Sequence, residues 1–137
     1  MPVEQNKALL VRLLEEVVVG GDFELMDQLL APDFVDHGRS QAGGFETFRK
    51  EIQTLHTAFP DMTLKILHLL AEGDTVVAHL ESEGTHHGSF QGIRATGRRV
   101  SLPSITIVRI TNGKVAERWN VFDRYAHLQQ LGVIPAG

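Results

Sequence analysis

Two carboxylates, Glu117 and Asp123, and the histidines His37 and His86 are the side chains whose types and placement could do chemistry in this sequence. The acids lie in the stretch VSLPSITIVRITNGKVAERWNVFDRY, Val100 to Tyr125, where β-branched runs flank Asn112-Gly113. That dipeptide satisfies the positive φ angles of a two-residue type I′ turn and predicts a long hairpin. Thr111 then opposes Lys114, and the register pairs Ile110 with Val115, Val108 with Glu117, Thr106 with Trp119, Ser104 with Val121 and Leu102 with Asp123. All ten of these side chains are expected on one mostly apolar face, with the only tryptophan and both acids among them. A carboxylate on such a face is paired, lies at a rim, or is in use.

An apolar surrounding raises a carboxyl pKa towards the range in which one group can take a proton and return it. Six residues of strand separate Glu117 from Asp123, about 20 Å at 3.3 Å per residue. That is too far for a shared-proton dyad or a glycosidase pair. Glu117 is therefore expected to pair with an Arg or Lys or to sit at the narrow end of a pocket. Asp123 either acts alone as an acid/base or caps the helix that begins just after it. Trp119 is core or pocket wall, with Leu102, Ser104 and Thr106 opposite.

His37 follows Phe34-Val35-Asp36 in a polar segment and could polarise a carbonyl oxygen, or it is a surface histidine beside a turn Asp. Of His86 and His87 at a strand end, only one can face inward, and strand parity selects His86. The sequence has seven histidines but no two at helical i, i+4 spacing with a Glu between, and it has no cysteine. Neither a zinc site nor a disulfide is expected. The glycine-rich SFQGIRATG lacks the Gly-Lys-Ser/Thr ending of a phosphate loop and opens no helix.

These residues need a scaffold, and 137 residues suffice for one domain. The net charge of −4 and the scattered arrangement of 13 Lys and Arg argue against a nucleic-acid partner. No signal peptide and no run of ~18 apolar residues is visible, so a cytoplasmic protein with no membrane span is expected. Leu9, Leu10, Leu13, Leu14, Val17 and Val18 recur at helical spacing up to Gly20-Gly21. Asp22 should cap a second helix ending at Pro32, with a short extended piece at Phe34–His37 after it. Phe45 to Phe59 reads as a third helix closed by Pro60. Strands follow from Met62 to about Ala71 and from Thr75 to Thr85, the second with Val76, Ala78, Leu80, Ser82 and Gly84 inward. After the hairpin, Tyr125 to Leu131 forms a last helix with Gly132 at C′. Helices, then long antiparallel strands, then a short helix make an α+β domain whose curved sheet could enclose a cavity.

NKALLVRLLEEVVVGGDFELMDQLLAPDFVDHG, AFPDM, AEGDTVVAHLESEGTHHGSFQGIRATGRRV and NGKVAERWNVFD, in that order, resemble the SnoaL-like polyketide cyclases of the nuclear transport factor 2-like superfamily. The resemblance implies a cone-shaped α+β barrel, a mostly antiparallel sheet wrapped around the N-terminal helices with a deep apolar pocket. It implies a homodimer joined through the outer sheet face and a ring-closing aldol condensation without metal or cofactor. Asp123 falls at the acid/base position, and His37 and His86 fall where the family places polar pocket residues. Phe34, Leu80, Leu102, Thr106 and Trp119 are expected to line the pocket around a small apolar carbonyl compound. The same fold also admits an isomerase, an epoxide hydrolase, or a non-enzymatic binding or dimerisation module.

Overall fold

The computed structural model describes residues 2–38 and 42–135. Its elements are α1 (Val3–Arg12), which runs on into a wider π-helical segment (Leu13–Val19), α2 (Phe23–Leu29), β1 (Leu30–His37), α3 (Phe45–Ala58), β2 (Thr63–Glu72), β3 (Thr75–Thr85), β4 (Arg99–Thr111), β5 (Lys114–Phe122) and α4 (Arg124–Gln130). The strands form one open sheet in the order β1-β5-β4-β3-β2. β1 runs parallel to β5 and the other pairs are antiparallel. The sheet does not close, but its inner face wraps the helices, giving the expected α+β cone.

The first helix buries Leu10, Leu13, Leu14, Val17 and Val18 against Val76, Ala78 and Leu80 of β3 and Val108 and Ile110 of β4. Widening to the π form lets both members of the adjacent pairs Leu13-Leu14 and Val17-Val18 face inward. Gly21, at φ 71°, ends it where an L side chain would be strained. The Val18 carbonyl left over at this end bonds the His56 ring of α3 at 2.8 Å. Asp22 caps α2 by accepting the Leu25 N–H at 3.0 Å. That helix ends at Leu29 rather than at Pro32. Pro32 instead lies inside β1, an edge strand with an irregular register between Leu30 and Val35, where a missing N–H is tolerated.

The hairpin turns at Asn112 (φ 53°) and Gly113 (φ 75°) as its sequence predicts, and Thr111 pairs Lys114 and Ile110 pairs Val115. Beyond that the register differs from expectation. Arg109 pairs Glu117, Ile107 pairs Trp119 and Thr106 pairs Asn120, because a β-bulge makes Ala116 an extra residue. Val115 and Ala116 are both buried. A slip of one residue exchanges faces, so Arg118, Asn120 and Phe122 point inward, and Glu117, Trp119 and Val121 point out. The inward residues of β3 and β4 are those predicted.

A second small core of Ala58, Phe59, Phe90, Val100 and Leu131 closes the far end of the cone. Gly88 is required there, since a Cβ would lie 2.5 Å from the Thr57 carbonyl oxygen. That approach lets the His87 and Gly88 N–H groups both donate to the Ala58 carbonyl at the end of α3.

Candidate active site

The space left between the helices and the inner sheet face is a cavity of about 630 Å³, within the range of small-molecule sites. Leu80, Leu102 and Phe122 supply apolar wall from three strands, and Leu14 and Val18 supply it from the π segment. Polar groups enter at fixed places: Ser104, Thr106, Arg118 and Asn120 from the sheet, Glu51 from α3 and His127 from α4.

Arg118 anchors one end. It is 6% exposed, and its Nη1 donates to both carboxylate oxygens of Asp36 at 3.1 Å, while Asp36 is itself 1% exposed. Glu51 Oε2 stands 3.9 Å from the same nitrogen, and the guanidinium lies 4.6 Å over the Phe48 ring. Parallel pairing of β1 with β5 sets Asp36 beside Arg118. With one cation between two carboxylates, this end is no anion trap. The Arg118 Nε is nevertheless buried with no partner among the described residues, which leaves a hydrogen-bond donor in the wall. Two residues on, Asn120 accepts the Thr106 hydroxyl at 2.6 Å.

His127 anchors the other end. Its ring is 1% exposed and packs against Phe90, Phe122 and Phe59 at centroid distances of 5.4, 6.1 and 6.2 Å. Burial, and then Arg124 and His86, hold its pKa below the ordinary imidazole value of 6.5. His86 is fully buried, as strand parity predicts, and stacks on the cavity-lining Phe59 at 5.5 Å. Its Nδ1 accepts the Thr96 N–H at 3.2 Å. Burial lowers its pKa too, opposed in part by the backbone of Gly88 and Ile93.

The residues singled out from sequence are not all brought together. Leu80, Leu102 and Thr106 line the cavity and His86 stands directly behind its wall, but four others do not take the expected places. Asp123 is exposed, caps α4 by accepting the Ala126 N–H at 2.9 Å, and is not part of the lining. Of its two readings the geometry supplies the cap. Trp119 is on the outer face, stacked on His37 at 4.7 Å. His37 sits on that face as well, bonded to Glu117 at 3.1 Å, and Glu117 is also held by Arg109, so the acid does pair with an arginine. The bonds from Arg109 and then His37 lower the Glu117 pKa. Phe34 belongs to the main core, packed on Phe45 and Phe48.

Arg118, Asn120, Phe122, Glu51, Gln91 and His127 are among the wall residues that the sequence did not point to. For the first three the available signal was Val115-Ala116, two successive apolar residues just past the turn, which fits a bulge as well as an alternating strand. Among the described residues no group of three or more His, Cys, Asp or Glu could hold a metal ion. No described helix is long and apolar enough to cross a membrane.

Known proteins resemble this chain in part of its sequence and, among solved structures, in architecture. The chain is 30% identical over 109 residues to the aklanonic acid methyl ester cyclase DauD of Streptomyces sp. (strain C5), covering 79% of this chain and 67% of that protein. It is 26% identical over 111 residues to the nogalonic acid methyl ester cyclase of Streptomyces nogalater, covering 78% and 83%. The structure of AclR from Streptomyces galilaeus, provisionally described as a hydroxylase, superposes with a TM-score of 0.88 at 28% identity over 99% of this chain and 86% of that one. A family model described as SnoaL-like polyketide cyclase matches residues 8–131. With that match spanning the cone and its cavity walls, the chain belongs to the SnoaL-like polyketide cyclase family.

Proposed function

We propose that the protein is a cofactor-independent, cyclase-type enzyme that enolises a carbonyl compound of the polyketide class in its cavity and closes a ring by intramolecular aldol addition. The observation that carries this is the cavity itself: about 630 Å³, with apolar walls and a few fixed polar groups at separate points. A flat multi-ring molecule would lie along the inner face of β5. An acceptor takes a proton from the carbon α to one carbonyl, and the C–H pair becomes the enolate. The enolate carbon bonds to a second carbonyl carbon, whose π pair becomes an alkoxide, and the alkoxide recovers the proton. Substrate and product are isomers, so nothing is consumed. The Arg118 Nε and the Asn120 amide are the donors suited to the developing oxyanions.

The test is incubation with aklanonic acid methyl ester in D2O. Deuterium should enter the α position and a product isomeric with the substrate should accumulate. Absence of both, or a product one oxygen heavier, would overturn the reading.

The protein is also proposed to pair with a second copy through the outer sheet face. Val121 is 71% exposed there, Leu70 and Ile105 are exposed, and Ile105 lies opposite Val121 across β4 and β5. Sedimentation should give twice the monomer mass, and Val121→Lys should shift it to one.

A further inference from the structure

We propose that the cavity end formed by His127 and Gln91 is the proton-transfer subsite, where His127 accepts the α-proton of a neutral, oxygen-bearing ring that hydrogen-bonds to Gln91. This rests on the enolisation reading above and assigns its base.

Seven buried side-chain polar atoms have no partner among the described residues, and four of them belong to two side chains that line this end: Nδ1 and Nε2 of His127 and Nε2 and Oε1 of Gln91. Buried polar groups are ordinarily bonded, so such a cluster in one wall of a cavity is best satisfied by what the cavity holds. Gln91 and His127 both line it. Gln91 is held at φ 51°, a left-handed conformation unusual for a residue other than glycine, in the tight turn between Phe90 and Ile93. Sparsely populated backbone conformations of this kind gather at ligand-binding sites.

The other cavity-lining groups are poorer acceptors. Asn120 carries an amide with no basic lone pair. Glu83 is paired with Arg99 at 3.2 Å, and Glu51 stands at the opposite end by Arg118. The charged or titratable groups around His127 are Arg124 on its own helix and His86 at the end of β3. The elements otherwise packed on its ring contribute Phe59, Phe90 and Phe122. Burial keeps the imidazole neutral near pH 7 and so able to accept. The ring nitrogen takes the proton to become imidazolium, the enolate closes the ring, and the imidazolium returns the proton to the alkoxide. The aromatic box favours a planar ring system, and the uncharged donors and acceptors favour carbonyl or hydroxyl oxygens over a carboxylate.

Two measurements on the full chain test this. In calorimetric titration with neutral 1,8-dihydroxyanthraquinone, Gln91→Leu and His127→Phe should each weaken binding about tenfold, while Glu24→Gln, outside the cavity, leaves it unchanged. With aklanonic acid methyl ester, His127→Gln should lower kcat for α-exchange by about 10²–10⁴ with little change in KM. It should also abolish the acidic limb of the wild-type pH profile, whereas Glu24→Gln, on the exposed side of α2, keeps both rate and limb. Undiminished kcat in His127→Gln, or an acidic limb that persists in it, would overturn the assignment. A wild type without turnover defeats the enzymatic reading and with it the base. The titration then still decides the subsite, and equal affinity in wild type and Gln91→Leu would sink it. Gln91→Leu alters only a turn, so that arm survives if His127→Phe fails to fold.

Discussion

Arg118 and Arg109 each hold a carboxylate on β5 or its neighbour, one on each face of the sheet. On the inner face Arg118 and Asp36 are almost wholly buried, stacked on Phe48 and part of a cavity wall. On the outer face Arg109 and Glu117 are partly exposed and tied to His37 beside Trp119. The chemistry of the two pairs is the same and their consequences are opposite. A buried pair is costly to form and still more costly to break, because removing one partner strands a charge in low dielectric. A solvated pair is screened and nearly dispensable. What assigns each pair to its face is the single extra residue at Ala116.

Arg118→Ala is therefore the most severe test of the contrast. It leaves the buried Asp36 carboxylate without its cation and with Glu51 close to the vacated position. Stranding Asp36 alone costs about 3–5 kcal/mol, and repulsion from Glu51 adds to it. The variant should show no cooperative urea transition, whereas Arg109→Ala on the outer face should unfold close to the wild-type midpoint. Equal losses in the two variants would mean that the face of the sheet does not decide what each pair contributes.

Asp36→Ala comes next. It leaves the register intact but strands the Arg118 guanidinium with only Glu51 at 3.9 Å, for an expected loss of about 3–5 kcal/mol. Adding Arg118→Met should restore most of it, since an apolar replacement of a buried pair is often neutral. If the double variant is as unstable as the single one, the pair is not what Asp36 contributes.

These two cases also mark where the sequence stops being readable. Turn chemistry and period located the elements, since Asn112-Gly113, the caps Asp22 and Asp123, and the inward set of β3 are local signals. The inner set of β4 was readable for the same reason. The face of β5 was not, because Val115-Ala116-Glu117-Arg118-Trp119 alternates plausibly in either register, and a lone tryptophan looks more at home inside than an arginine. Arg118 is stable inside only because Asp36 arrives from β1, more than 80 residues earlier in the chain, through a parallel pairing that no local pattern reveals. His127 was hidden in a similar way. Its helix is too short for periodicity to define a face, and the phenylalanines around it come from three different segments.

Asp123 gives a milder test. Its carboxylate caps α4, and losing such a cap costs about 1 kcal/mol. Asp123→Ala should show that loss in urea denaturation, whereas Asp123→Asn, which can still accept from Ala126 N–H, should keep both stability and turnover. A collapse of turnover in Asp123→Asn with stability unchanged would return the acid/base role to this residue.

The smallest effect is expected on the outer face. The hydrogen bonds from Arg109 and then His37 hold the folded-state pKa of Glu117 below its ordinary 4.5. A carboxyl with a lowered folded pKa contributes stability that is fully present above its unfolded value and is lost as pH falls through the folded one. The stability difference between wild type and Glu117→Gln should therefore stay constant above pH 4.5 and shrink on acidification below it. High salt should shrink it as well, because the network faces water. A difference that grew on acidification, or ignored salt, would mean that Glu117 is more deeply enclosed than Asp36's position on the other face allows, and the contrast between the two arginine pairs would fail.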